Sequence, residues 1–123
     1  MKREAGAGGG ADAGGQAITI RDPLWDTIRL DRYAAAIVDS EAFQRLRYIR
    51  QLGLAYLVYP GATHTRFDHA LGVYHLTVRA LGALDARDGL CDVDPAECRL
   101  VPLAALLHDI GHYPFSHAVE ELD

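Results

Sequence analysis

The sequence predicts an all-α protein, a helical bundle preceded by a short N-terminal β-hairpin. Three observations predict it. Downstream of Ser40, apolar residues recur at helical spacing in successive segments. Those segments open on helix-capping residues, Ser40, Thr65 and Asp94. Upstream, Ile18 and Ile20, then Ile28 and Leu30, alternate with polar residues, the period of strands with one face on a core.

At 123 residues, half of them apolar and 24% charged, the chain is one small globular domain or part of a larger one. Met1 to Gln16 is rich in Gly and Ala, lacks hydrophobic periodicity and reads as a disordered leader. Ala17 to Leu30 is the hairpin, its turn started by Asp22-Pro23. Asp31 to Val38 is a short helix. Ser40 caps the next one, with Phe43, Leu46 and Ile49 at core spacing and Gly53 as its C′ residue. The apolar and aromatic run Leu54 to Tyr59 ends in the turn Pro60-Gly61.

Thr65 opens a long helix, and Asp68 completes a capping box with it. Phe67, Ala70, Leu71, Tyr74, Val78, Leu81 and Leu84 keep an apolar face to about Asp85. Gly72 and Gly82 cost helix propensity but permit close helix packing. Asp85 to Asp94 is a polar loop. Asp94-Pro95-Ala96-Glu97 then supplies an N-cap, a proline at the first helical position and an acid in the first turn. The helix it starts carries His108 and Asp109. Pro102 should kink that helix, because it cannot donate to the Cys98 carbonyl, and Gly111 ends it. Pro114 starts another helix, Phe115 to Leu122.

No apolar run is long enough to span a bilayer, and the N-terminus has no apolar signal core. Cys91 and Cys98 match no zinc-finger or redox spacing, so reduced thiols in a cytoplasmic protein are expected. A net charge of −5 argues against a general nucleic-acid binder. Yet Arg45, Arg47, Arg50 and Arg66 lie close together, and a local basic pocket in an acidic protein suits a small anionic ligand. A solvated helix face explains the same pattern.

The histidines fall between His64 and His117. His108 and Asp109 follow the apolar run Val101 to Leu107, where an ionised carboxylate is costly unless compensated. A divalent cation would compensate it, taking an imidazole nitrogen and a carboxylate oxygen together. His69, in the first turn of the long helix, could join them if the two helices pack antiparallel. The result would be a three-ligand site with open positions, as a catalytic metal needs. His112 and His117 are then free to act on a substrate, since a histidine can protonate a leaving oxygen near neutral pH. His64 reads as a loop hydrogen-bonder, and His75 faces a different side from His69.

Asp39 with Gln44-Arg45-Leu46-Arg47-Tyr48-Ile49, then Gln51-Leu52-Gly53, then Pro60 through Thr63-His64-Thr65-Arg66-Phe67-Asp68-His69 to Val73, then His108-Asp109-Ile110-Gly111-His112-Tyr113-Pro114-Phe115-Ser116-His117 form a series of blocks in order. In these the chain resembles the HD-domain phosphohydrolases. Within that superfamily it is similar to the deoxynucleoside triphosphate triphosphohydrolases, including those that pair a SAM domain with an HD domain. Trp25-Asp26 departs from the His-Gly usual after Asp22-Pro23.

The resemblance implies a truncated HD-domain bundle and a divalent metal ion (Mn, Fe, Zn or Mg) held by His69, His108 and Asp109. It implies that Arg66 contacts substrate phosphates, that His112 lies near the α-phosphate, and that His117 is a general acid which Glu120 could orient. Gln51 and Leu52 would line the deoxyribose pocket. Asp39, Gln44 and Arg47 would read a guanine nucleotide activator between subunits of a homo-oligomer. The family's fourth ligand is an aspartate far downstream, whereas this chain ends at Asp123, so residues 17–123 are expected to be the N-terminal portion of an HD domain and a fragment. The expected reaction is hydrolysis of a dNTP to deoxynucleoside and triphosphate. The alternatives are another HD-type nucleotide phosphohydrolase or phosphodiesterase, and a non-catalytic nucleotide-binding module.

Overall fold

A computed structural model of the protein describes residues 18–115. The leader expected over residues 1–16, the greater part of the helix expected over Phe115–Leu122, and the residues His117 and Glu120 lie outside the described residues. The order is two strands, β1 (Ile18–Asp22) and β2 (Asp26–Leu30), followed by four α-helices: α1 (Arg32–Val38), α2 (Glu41–Gln44), α3 (Arg66–Asp85) and α4 (Pro95–Leu107). Short 3₁₀ turns at Arg45–Tyr48 and Ala55–Leu57 join α2 to α3. The fold is mostly helical with one antiparallel hairpin, as the pattern predicts. No described helix is long and apolar enough to cross a membrane.

The hairpin pairs Ile18 with Leu30 and Ile20 with Ile28, so the alternating apolar residues share one face. Ile28 and Leu30 are buried on it. The Asp22 carboxylate accepts from the amides of Leu24 (2.8 Å) and Trp25 (2.9 Å), which closes the turn that Asp22-Pro23 starts. Asp31 caps α1 by accepting from the amides of Tyr33 and Ala34. Ser40 caps α2.

After Ser40 the structure departs from a helix reaching Gly53. Only α2 is α-helical, the 3₁₀ turn ends at Tyr48, and Ile49 is extended. The reason is tertiary pairing. The Ile49 carbonyl accepts from the Arg66 amide (2.8 Å), and the Gln51 amide donates to the His64 carbonyl (3.1 Å). Both bonds need extended backbone where a continued helix would have used these groups internally. Phe43, Leu46 and Ile49 still reach the core, and Gly53 takes a left-handed φ of 54° in the turn that follows.

Helix α3 starts as expected, with Thr65 and Asp68 forming a complete capping box. Its expected apolar face is buried only in the first half. Phe67, Ala70, Leu71 and Tyr74 are buried, whereas Val78 and Leu84 are exposed. The glycines of α3 do not do what was expected of them. Gly72 faces the hairpin turn, where the Trp25 Nε1 would lie 3.1 Å from an added Cβ, and Gly82 faces open space. Helix α4 begins on the Asp94 cap with Pro95 in its first turn and runs unbroken through the buried Pro102. It packs against α3 and contributes Leu106 to the core. It ends at Leu107, before His108 and Asp109. The core therefore gathers β2, α1, α2, the start of α3 and the end of α4 around one point.

Candidate metal centre

His69 lies in the first turns of α3. His108 is the C-cap of α4, and Asp109 follows in the turn after it. The residues expected on a helix thus sit in the turn that ends it. That turn is held by its own backbone, with the Ile110 amide donating to Leu107 O (3.1 Å) and the His112 amide to Asp109 O (3.1 Å).

The ligand atoms of His69, His108 and Asp109 all lie within 4.8 Å of one another. The two Nε2 atoms are 3.2 Å apart. Asp109 Oδ1 is 3.4 Å from His108 Nε2, and Asp109 Oδ2 is 3.8 Å from His69 Nε2. Ligands bound tetrahedrally at about 2.1 Å from one ion stand roughly 3.4 Å from each other. His108 Nδ1 lies 2.6 Å from the Ala105 carbonyl, which can only accept. In its neutral form His108 therefore keeps its proton on Nδ1 and presents an Nε2 lone pair toward His69 and Asp109. A bond of that kind orients a metal-ligating histidine. Two imidazole nitrogens and a carboxylate oxygen at these separations fit a divalent cation.

The electrostatics favour the ligand-competent protonation states. Burial lowers the His69 pKa, and the charges of His108, His64 and Arg66 lower it further against the opposing pull of Asp109, so the ring favours its neutral form. Burial alone would raise the Asp109 pKa. The charges of His108 and Arg66, the Arg66 hydrogen bond and the His112 charge more than offset it, and the carboxyl stays below its ordinary value. Arg66 is itself buried, with Nη1 donating to Asp109 Oδ2 at 2.7 Å. His112 Nε2 stands 3.5 Å from Asp109 Oδ1.

The other expected site residues among those described fall in two places; His64 and His75 were not expected at the site. Gln51 is half-buried, and its Oε1 has no hydrogen-bond partner among the described residues; Leu52 beside it is 53% exposed. Asp39 is the C-cap of α1, Gln44 ends α2, and Arg47 lies in the 3₁₀ turn that follows. Gln44 Nε2 donates to the Val38 carbonyl, and Arg47 Nε donates to Gln44 Oε1, each at 2.7 Å. His64 accepts through its backbone carbonyl, and His75 packs on Trp25 with ring centroids 5.4 Å apart.

The four arginines of the sequence cluster have different partners. Arg45 bonds two carbonyls of the turn after α4, Arg47 lies over the Phe67 ring, Arg50 lies over Tyr56, and Arg66 is paired with Asp109. The role of Arg45 is invisible in the sequence, because its partners lie 65 and 67 residues away and are backbone atoms.

The HD domain family model matches residues 66–123. The chain is 48% identical over 101 residues to an uncharacterised protein of Methanocaldococcus jannaschii, covering 82% of this chain and 20% of that protein. It is 44% identical over 98 residues to the deoxynucleoside triphosphate triphosphohydrolase SAMHD1 of Homo sapiens, covering 80% of this chain and 16% of that one. A solved phosphohydrolase from Bacteroides thetaiotaomicron superposes with a TM-score of 0.79 at 40% identity, over 86% of this chain and 26% of the other. The chain spans no more than about a fifth of the length of the two curated relatives. With a His-His-Asp cluster inside the matched segment and a helical fold shared with a phosphohydrolase, the chain carries an HD domain over residues 66–123.

Proposed function

We propose that the protein is a metal-dependent HD-domain phosphohydrolase that cleaves a dNTP to deoxynucleoside and triphosphate. The observation that carries this reading is the convergence of His69, His108 and Asp109, with the Arg66 guanidinium on the same carboxylate. The divalent ion held there, Mn, Fe, Zn or Mg, would polarise a phosphate oxygen and lower the pKa of a bound water. The similarity to a deoxynucleoside triphosphate triphosphohydrolase supports this substrate class.

The protein's own residues then divide the remaining work. Arg66 offers a fixed charge and a planar fork of donors to a phosphate oxygen beside Asp109. His112, 3.5 Å from that carboxylate and half-buried, donates to an oxygen of the α-phosphate. Gln51 Oε1, a buried acceptor lacking a partner among the described residues, accepts from a sugar hydroxyl, and the exposed Leu52 packs on the deoxyribose. His117, oriented by Glu120, protonates the departing 5′ oxygen of the nucleoside. Asp39, Gln44 and Arg47 bind a guanine nucleotide activator between subunits of a homo-oligomer.

The test is product analysis with Mn²⁺ and a panel of dNTPs. Deoxynucleoside and triphosphate should appear, and Asp109→Ala should abolish both turnover and metal retention while helix content is kept. His117→Ala should lose about 100-fold or more on a natural dNTP and far less on an analogue whose leaving group needs no proton. Release of orthophosphate or diphosphate, or full metal occupancy in Asp109→Ala, would overturn the proposal. Equal losses of His117→Ala on both substrates would remove the general-acid role.

A further inference from the structure

We infer that Arg45 is a positioning residue for the metal centre, holding the turn that presents Asp109 and His112 in register with α3. The inference rests on the reading of His69, His108 and Asp109 as metal ligands. One nitrogen of the Arg45 side chain, Nη2, donates to the Ile110 carbonyl at 2.8 Å and to the His112 carbonyl at 2.9 Å. That nitrogen has two hydrogens, so each carbonyl takes one.

The turn after α4 has two sets of backbone groups. The amides of Ile110 and His112 are satisfied within it, by Leu107 O and Asp109 O. The carbonyls of Ile110 and His112 are satisfied from outside it, by Arg45. Between the two clamped peptides lies Gly111, where nothing approaches within 4 Å of the Cβ position, so packing does not restrain the chain there. Arg45 supplies that restraint.

Arg45 itself stands on a fixed base. Its 3₁₀ turn is anchored by the fully buried Leu46 and capped by Ile49, whose carbonyl accepts from the Arg66 amide at 2.8 Å. One short segment, Arg45 to Ile49, is therefore bonded to both halves of the centre. Through Ile49 it holds the start of α3, which presents Arg66 and His69. Through Arg45 it holds the turn that presents Asp109 and His112. The Arg45 side chain is exposed, so its truncation opens no cavity and its effect is geometric.

The experiment uses Co²⁺ as the probe on the full chain, comparing the unmodified protein with Arg45→Ala and Arg45→Lys. Loss of a group that orients ligands typically costs 10- to 100-fold in metal affinity. Arg45→Ala should bind Co²⁺ about 10-fold more weakly, with shifted d–d absorption bands and unchanged far-UV circular dichroism. Arg45→Lys keeps the charge and one nitrogen with enough hydrogens for both carbonyls, but that nitrogen sits at the end of a shorter stem, so it should recover only part of the loss. A purely structural role would lower thermal stability and leave the Co²⁺ spectrum of the folded fraction untouched. Affinity and spectrum equal to those of the unmodified chain in Arg45→Ala would overturn the inference. Should Arg45→Ala lose helix content, Arg45→Met, which keeps the stem and removes the donors, decides: altered bands with native helix content uphold the inference, and a spectrum and affinity matching the unmodified chain overturn it. Failure of the unmodified chain to bind Co²⁺ is a separate result, which removes the metal reading and this inference with it.

Discussion

Arg66 and Asp109 hold each other inside the protein, at 2.7 Å, with side chains only 2% and 9% exposed. The sequence places Arg66 one turn before His69, and the family resemblance gives it phosphate as its partner. The carboxylate it meets is 43 residues away, and no local pattern reports that pairing. A buried ion pair is expensive to split, since removing one partner leaves an uncompensated charge and typically costs about 3–5 kcal/mol. Arg66→Met should therefore lower the stability of the metal-free protein by about 3 kcal/mol or more. A divalent cation on the same carboxylate supplies the missing positive charge, so saturating Zn²⁺ should recover part of that loss. Urea unfolding with and without Zn²⁺ measures both. An equal loss in the two conditions would mean that Asp109 does not face the bound ion.

The elements legible in the sequence are those set by neighbours in the chain. Asp31, Ser40, Thr65 and Asp94 cap helices through amides two or three residues on, and the hairpin follows from alternation and the Asp22 turn. What was not legible depends on distant partners: Ile49 leaves the helix to accept from Arg66, and α4 stops before His108. The two glycines of α3 show the same divide. Both read as sites of close helix packing, yet Gly82 meets nothing, while Gly72 lies under the Trp25 ring. Gly82→Ala should stabilise the protein by about 0.5–1 kcal/mol, because it gains helix propensity and creates no contact. Gly72→Val should destabilise it by about 1–3 kcal/mol through overpacking against Trp25. The chain has one tryptophan, so its fluorescence reports the displacement directly. A red-shifted emission is expected in Gly72→Val alone. An unshifted emission with full stability in that variant would refute the packing of the hairpin turn on α3.

For the whole molecule, the core ties the hairpin, α1 and α3 together, and Tyr74 stands at that junction, 4% exposed. Its apolar neighbours were legible from the period of α3, and its burial follows. Its polar partner was not, because Asp31 lies 43 positions earlier and is read from sequence only as the first residue of a short helix. Burial raises the Tyr74 pKa above 10.0, and the Asp31 charge raises it further, against a smaller opposing effect from a hydrogen bond with the Asp31 backbone. The folded state therefore prefers the protonated phenol more than the unfolded chain does. The stability this contributes is fully present below the ordinary pKa of 10.0 and is lost as pH rises through the higher folded value. Above 10.0 the unfolded chain has shed this proton while the folded protein still holds it, so unfolding releases a proton and high pH drives it. Tyr74→Phe has no proton to lose there. Its stability at neutral pH should fall by about 1 kcal/mol with the lost hydrogen bond, while its decline across the alkaline window should be shallower than that of the unmodified protein. Urea unfolding at stepped alkaline pH gives both slopes. If the two proteins decline in parallel, Tyr74 is not the group that couples alkaline pH to the junction of the hairpin, α1 and α3.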